Sequence, residues 1–304
     1  MIHTITMIKI GTRGSDLALW QAQFVAGKLA CDYEIVTIKT KGDRVHNVSF
    51  DKMEGKGFFT KELEDALLEG RIDMAVHSMK DLPTEITSGL TIAAVTQRED
   101  SSDIIVLRKE AYRANHWFPL KEGSTVGTSS LRRVSQLKCI MSSVEVLPLR
   151  GNVPTRVKRL HEGKFDAIIL AKAGITRLGI VLDEFYTMVL PFSYFLPSPG
   201  QGALAIETRC DDVYTINAVT HLHDAATAKA VSAERQFLKQ FGAGCHVPLG
   251  AYAHCYGSSV IVTGVILSVD GLRSIRHTVE DADPLKAGER LAQFMIEQGA
   301  GNFL

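Results

Sequence analysis

Cysteine is sparse in this chain, with 5 in 304 residues, and Cys31, Cys139, Cys210, Cys245 and Cys255 are scattered with no C-x-x-C pair. An odd, dispersed set of thiols excludes a disulfide framework and predicts mostly free cysteines. Net charge is also absent, because 34 basic side chains match 34 acidic ones. No overall field therefore holds the protein on nucleic acid or an anionic membrane, and any anion must be gripped by local clustering. Aromatic residues make up only 7% and do not interleave with the basic ones, which argues further against a nucleic-acid partner. No run reaches about 18 uninterrupted apolar residues, and Met1 to Ile10 lacks the basic segment and apolar stretch of a secretory signal. The expectation is a cytosolic protein with no membrane span. No long apolar surface stripe is evident, which predicts a monomer.

What is present is the balance of a packed globular protein, 45% hydrophobic and 22% charged, in a chain long enough for two or three domains. Two segments share one local pattern. Leu68-Glu69-Gly70-Arg71-Ile72-Asp73-Met74-Ala75 and His161-Glu162-Gly163-Lys164-Phe165-Asp166-Ala167-Ile168 each read as a helix end, a left-handed glycine stop and a short apolar strand. Upstream of each lies a second echo. Ile10-Gly11-Thr12-Arg13-Gly14-Ser15 opens a helix around Leu17 to Leu29, and Val126-Gly127-Thr128-Ser129-Ser130 opens one around Leu131 to Ile140, both as strand, glycine turn and hydroxyl-capped helix. The repeated order predicts two similar α/β lobes with mainly parallel sheets. In open sheets of this kind ligands sit beyond the carboxyl ends of the strands, so the two lobes are expected to form an anion-binding cleft. Leu196 to Gly202, dense in Pro and Gly, reads as a crossing between lobes. From about Thr220 the pattern changes to a helix near Ala225 to Phe241, strands near Ala251 to Tyr256 and Val260 to Val269, an Asp270-Gly271 turn, and a last helix from about Pro284 to Gln298, a smaller α+β domain. The expected boundaries are 1–97 with 198–218, then 98–197, then 219–304.

Three groups of residues could carry chemistry. Cys245 lies in Phe241-Gly242-Ala243-Gly244-Cys245-His246-Val247-Pro248, where small residues and a proline favour an irregular loop and an accessible thiol. A small buried hydrophobe is the ordinary alternative, and a metal site with His246, His254 and Cys255 is a sharper one, disfavoured by ligand spacing. Asp81 follows the strand Asp73 to His77, where open-sheet proteins place catalytic groups, although a turn aspartate reads the same way. His77 reads as a packed histidine. Arg13 stands beside the first glycine turn, Arg132 and Arg133 in the first turn of the second lobe's helix, and Arg150 and Arg156 around Gly151-Asn152. Cations at helix N-termini oppose the macrodipole. Their placement points to an anion that offsets the cost, and several planar forks suit a polyanion, carboxylic or phosphoric.

Gly55 to Glu64, His77 to Pro83, Gly127 to Arg133, Leu149 to Asn152, Pro199 to Ala203 and Gly244 to Gly250 resemble, in order, the motifs of the porphobilinogen deaminase family. The resemblance implies an α/β fold of two periplasmic-binding-protein-like lobes of type II with a smaller α+β C-terminal domain. It implies a transferase that joins four porphobilinogen molecules, with loss of ammonia, into hydroxymethylbilane on a dipyrromethane cofactor bound as a thioether to Cys245. By the same resemblance Asp81 acts at the pyrrole nitrogens. Arg13, Ser15, Lys80, Thr128, Ser129, Ser130, Arg132, Arg133, Arg150, Gly151, Arg156 and Gln201 are then expected to bind the cofactor and substrate, with hinges near Gln97 to Ser102 and Pro197 to Gly202. Asp16 and Ala243 depart from the family pattern. A two-lobed small-anion-binding or sensory protein without catalysis is the alternative, and it leaves Cys245 and the third domain without a role.

Overall fold

The computed structural model describes residues 7–40, 60–242 and 247–303. The chain divides into two compact units, one of Met1–Glu99 with Gly202–Lys229 and the other of Asp100–Gln201 with Ala230–Leu304. The first unit holds β1 (Ile8–Thr12), α1 (Asp16–Ala26), β2 (Tyr33–Thr37), α2 (Lys61–Leu68), β3 (Met74–Ser78), β4 (Leu90–Val95), β10 (Leu204–Arg209) and α6 (Val213–Val219). Its sheet has the order β2-β1-β3-β10-β4, with β1 parallel to β2 and β3, and β10 antiparallel to β3 and β4.

The second unit repeats that plan with β5 (Asp103–Leu107), β6 (Thr125–Gly127), α3 (Leu131–Ile140), β7 (Glu145–Leu147), α4 (Val153–His161), β8 (Ala167–Ala171), α5 (Lys172–Leu178) and β9 (Tyr186–Val189). The sheet order is β7-β6-β8-β5-β9, again with the fourth strand antiparallel to its neighbours. In both lobes the strand that breaks the parallel run adjoins a chain crossing: β5 follows the first and β10 the second.

The duplication reaches single atoms. Gly70 and Gly163 end α2 and α4 with φ of 68° and 71°, the left-handed region that glycine enters without a Cβ penalty. Asp73 Oδ2 accepts from Lys9 N–H at 2.8 Å, and Asp166 Oδ2 accepts from Thr125 N–H at 2.8 Å, so one carboxylate at each strand entrance ties the two central parallel strands together. A Cβ on Gly11 would collide with Ile72, and one on Gly127 would meet Phe165 Cδ1 at 2.9 Å. The strand before each site loop is thus held against the same helix-to-strand corner in both lobes.

Two features differ from expectation. Ser15 caps α1 by accepting from Ala18 N–H at 3.4 Å, whereas Ser130 makes no side-chain cap on α3. Thr128 Oγ1 instead accepts from Ser130 N–H at 3.3 Å, and Ser129 Oγ donates to Leu149 O at 3.1 Å, so the second loop's hydroxyls serve the loop and its neighbouring strand end. The first helix also stops at Ala26, before the expected Leu29.

The C-terminal part of the second unit packs α7 (Ala225–Gln240) and α8 (Pro284–Glu297) on the antiparallel sheet of β11 (Leu249–Tyr256), β12 (Ser259–Leu267) and β13 (Ser274–Asp281). The strand β13 had no counterpart in the sequence reading. Its exposure alternates residue by residue and leaves only Val279 buried, but the inward positions also carry His277 and Asp281, so the apolar period is weak in the sequence. Phe237, Leu291, Ala292 and Met295 are fully buried in this core, each large apolar side chain worth about 1.5–3 kcal/mol on burial. Glu234 on α7 is buried, with Oε1 accepting from Ala253 N–H on β11 and Oε2 from Gly200 N–H, both at 2.7 Å. Ala251 N–H also donates to Pro197 O at 2.9 Å. Within this unit the crossing segment is therefore hydrogen-bonded to the C-terminal sheet and helix.

Candidate functional site

In the first unit the candidate groups stand at the carboxyl ends of β1 and β3. The strand β1 runs out at Thr12, whose hydroxyl donates to Ala18 O at 2.9 Å, and Arg13 and Ser15 occupy the turn into α1. The strand β3 is buried through His77, and a 3-10 turn over Met79–Asp81 follows it. That turn is anchored from both sides, by Met79 N–H donating to Ala203 O at 3.0 Å and by Leu82 N–H donating to Met79 O at 3.3 Å. Met79 and Leu82 point into the protein, at 1% and 4% exposure, while Lys80 is half-buried and Asp81 exposed. Alternation of inward and outward residues in a tight turn therefore presents the carboxylate to solvent on a rigid support. Beneath it, Gln21 Nε2 donates to Ser78 Oγ at 2.8 Å. His77 is a packed histidine as expected, its Nε2 lying 3.1 Å from Glu207 Oε2, with both side chains buried.

In the second unit the expected binding residues fall into two environments. Arg150 and Gly151 lie on the accessible loop that opens α4, and Arg156 lies in the first turn of that helix: Gly151 has φ of 107°, and Arg156 Nε donates to the Gly151 carbonyl at 2.7 Å. Asn152 caps the helix by accepting from Thr155 N–H at 3.0 Å. Arg132 and Arg133 are instead buried, at 5% and 6% exposure. This corrects the picture of the α3 arginines as forks opposed only by an incoming ligand, since the first anion that offsets their cost is internal. Arg132 Nη1 donates to Asp103 Oδ2 at 2.6 Å and to Leu196 O at 2.8 Å. Arg133 Nη2 donates to Asp103 Oδ1 at 2.7 Å, and its Nη1 to Ile169 O at 3.0 Å. Gln201 is likewise buried, its Nε2 donating to Ser101 O at 2.8 Å and to Asp103 Oδ1 at 3.0 Å.

Asp103 is fully buried, and desolvation alone would raise its pKa, but the two guanidiniums outweigh that and hold the carboxyl far below the usual range. Burial pulls Arg132 down from its ordinary value, with Asp103 opposing the shift; an arginine stays protonated regardless. Two cations share one carboxylate, and Arg133 Nε is buried with no hydrogen-bond partner among the described residues. The cluster thus has donors in excess of its own acceptors, which fits a ligand bearing carboxylates.

Asp103 was missed in the sequence. An acidic residue heading the fully buried strand Asp103–Leu107 demands a cationic partner, and the paired arginines of α3 were candidates for it. The same reading missed Lys172, at the start of α5, which pairs with Asp100 at 2.7 Å. Cys245 lies outside the described residues, as does His246, while His254 and Cys255 are on β11.

Two family models match the chain. One, described as porphobilinogen deaminase, dipyromethane cofactor binding domain, covers residues 8–217, and the other, porphobilinogen deaminase, C-terminal domain, covers 228–297. A porphobilinogen deaminase of Brevibacillus brevis is 43% identical over 97% of this chain and 96% of that protein. One of Trichlorobacter lovleyi is 42% identical over 96% of this chain and 94% of that protein. Among solved structures, the periplasmic VFT2 domain of Bordetella pertussis BvgS overlaps 70% of this chain and 85% of its own with a TM-score of 0.40 and 14% identity. An ancestral cationic amino acid solute binding protein overlaps 71% and 87% with a TM-score of 0.40 and 14% identity. These overlaps are distant, and neither protein's ligand bears on this chain.

Proposed function

The chain belongs to the porphobilinogen deaminase family, and from that membership we propose which of its residues do the family's work. It is a transferase of tetrapyrrole biosynthesis that joins four porphobilinogen molecules head to tail, with loss of ammonia, into hydroxymethylbilane, using a dipyrromethane cofactor. When bound, that cofactor supplies a nucleophilic pyrrole carbon from which the chain grows.

The protein's own groups then divide the labour. Asp81, exposed on its anchored turn, is the catalytic residue: its carboxylate accepts hydrogen bonds from pyrrole N–H groups and stabilises the positive charge that develops as ammonia leaves. Arg13, Arg132, Arg133, Arg150 and Arg156 pair with acetate and propionate carboxylates. Ser15, Lys80, Thr128, Ser129, Ser130, Gly151 and Gln201 complete the binding loops, so these groups act by positioning rather than proton transfer. Cys245 holds the cofactor as a thioether and keeps intermediates from diffusing away. The domain boundaries are 1–97 with 198–218, 98–197 and 219–304, with hinges at Gln97 to Ser102 and Pro197 to Gly202. No described helix is long and apolar enough to cross a membrane. The reading adds a monomer of the cytoplasm with no nucleic-acid partner, in keeping with balanced charge.

The observation that carries this reading is the family match across both model regions; the excess of buried arginine donors over carboxylates at α3 supports it independently. Intact mass of the purified protein tests it. The polypeptide is expected to be heavier than its sequence by two condensed porphobilinogen units, and Cys245→Ala is expected to lose that thioether. Peptide mapping that found Cys245 free in active enzyme, or the pyrroles on another cysteine, overturns the attachment. A solute-binding protein without catalysis would show the bare polypeptide mass and no colour with acidic aldehyde reagent.

A further inference from the structure

Asp103 opens β5 immediately after the first chain crossing, and its side chain has no exposure. Both of its oxygens are engaged: Oδ2 by Arg132, and Oδ1 by Arg133 and Gln201. Each guanidinium makes a second bond to a main-chain carbonyl, Arg132 through the two N–H groups of one nitrogen, Nη1, to Asp103 and Leu196 O, and Arg133 through Nη2 to Asp103 and Nη1 to Ile169 O. A planar fork fixed by two bonds cannot turn about its long axis, so the heading of its remaining N–H groups is set by the protein before a ligand arrives. By formal count the cluster holds two positive charges against one negative, and Arg133 Nε is a buried donor with no partner among the described residues. A buried charge short of a counter-charge is costly, and one further carboxylate satisfies both the charge and the orphan donor.

We propose that Asp103 is a positioning residue for the reaction: it orients Arg132 and Arg133 so that their unspent N–H groups meet a single carboxylate of the bound pyrrole chain. Asp103 touches neither cofactor nor substrate and acts only through the two arginines. The inference rests on the binding roles assigned above to those arginines.

Asp103→Asn keeps the side chain's size and removes its charge. The purified variant is expected to fold, as seen by circular dichroism, and to differ from wild type in two readouts. Its intact-mass spectrum should show an altered distribution of bound pyrrole rings, and kcat/KM should fall about 10²-fold, the scale of a displaced binding group. Asp103→Glu, which restores the carboxylate one methylene further out, should recover part of both. An Asp103→Asn protein with the wild-type ring distribution and wild-type kinetics overturns the proposal and leaves Asp103 as a counter-ion for folding alone. If Asp103→Asn does not fold, Asp103→Glu decides. A variant that melts like wild type but has lowered kcat/KM and an altered ring distribution supports positioning, and wild-type kinetics overturns it. Failure of the underlying reading is separately visible, because the wild-type polypeptide would then carry no pyrrole mass.

Discussion

The carboxylate proposed to stabilise the cation must be accessible while its backbone stays fixed, and Asp81 is exposed on an anchored turn. Its neighbours Met79 and Leu82 are buried, and Met79 N–H is bonded to Ala203 O, so the turn is anchored through main-chain groups that a change at Asp81 does not touch. Asp81→Asn should therefore retain the wild-type melting temperature while losing about 10²- to 10³-fold in kcat, the usual effect of removing one preorganised electrostatic partner. Near-normal steady-state rates in the folded variant would remove Asp81 from the mechanism. The place of Asp81 just past a strand was legible because an acidic group between an apolar run and a proline is a local pattern. Asp103 was not, because its importance lies entirely in what surrounds it.

Helices α3 and α4 begin after corresponding strands of the second lobe, yet their arginines have different energetic standing. Arg132 is buried on Asp103, whereas Arg150 is only half-buried on its loop. Arg132→Leu breaks a buried pair and leaves Asp103 with one guanidinium, a loss of about 3–5 kcal/mol. Arg150→Leu should cost less than about 1 kcal/mol, the range of an accessible ion pair. Both should impair turnover, so chemical unfolding separates them: equal stability losses would contradict the burial difference. The start of α3 was readable from Gly127 to Ser130, and of α4 the glycine-stopped end at His161 to Gly163. Whether a hydroxyl caps its helix was not, since Thr128 and Ser129 spend their hydroxyls inside the loop and on Leu149 O.

Over the whole molecule, several carboxyls are held below their ordinary pKa. For Asp103 burial opposes the shift and the two guanidiniums impose it. For Asp224 the Thr227 N–H and hydroxyl are responsible, and for Asp100 burial is outweighed by hydrogen bonds from Lys172 and Ser102. A folded-state pKa below the unfolded value means that the folded protein binds fewer protons, so these groups stabilise it above the unfolded pKa and lose that contribution as pH falls. The melting temperature should be nearly flat near neutrality and decline once pH drops below about 4, where unfolded aspartate titrates. Asp103→Asn should weaken the acid dependence. An Asp103→Asn protein with the same acid-induced decline as wild type would show that this carboxyl is not a main contributor.

Local pattern determined the repeated strand, helix, strand, helix, strand of each lobe, the left-handed stops at Gly70 and Gly163, the first strands and both helices of the C-terminal region, and the order of the family motifs. Each depends on residues a few positions apart, through backbone sterics, hydrophobic period and turn chemistry. The strand β13 escaped because its inward positions include His277 and Asp281 beside Ile275 and Val279, and its pairing with β12 is what makes it a strand. Only the tertiary structure decided where the charges of Arg132 and Arg133 go. Asp103 lies 29 and 30 residues from them in sequence, and its burial at the head of β5 makes the two guanidiniums its charged partners. Pairing of buried charges is set by desolvation and distance in three dimensions, and neither quantity has a signature in the order of residues along the chain.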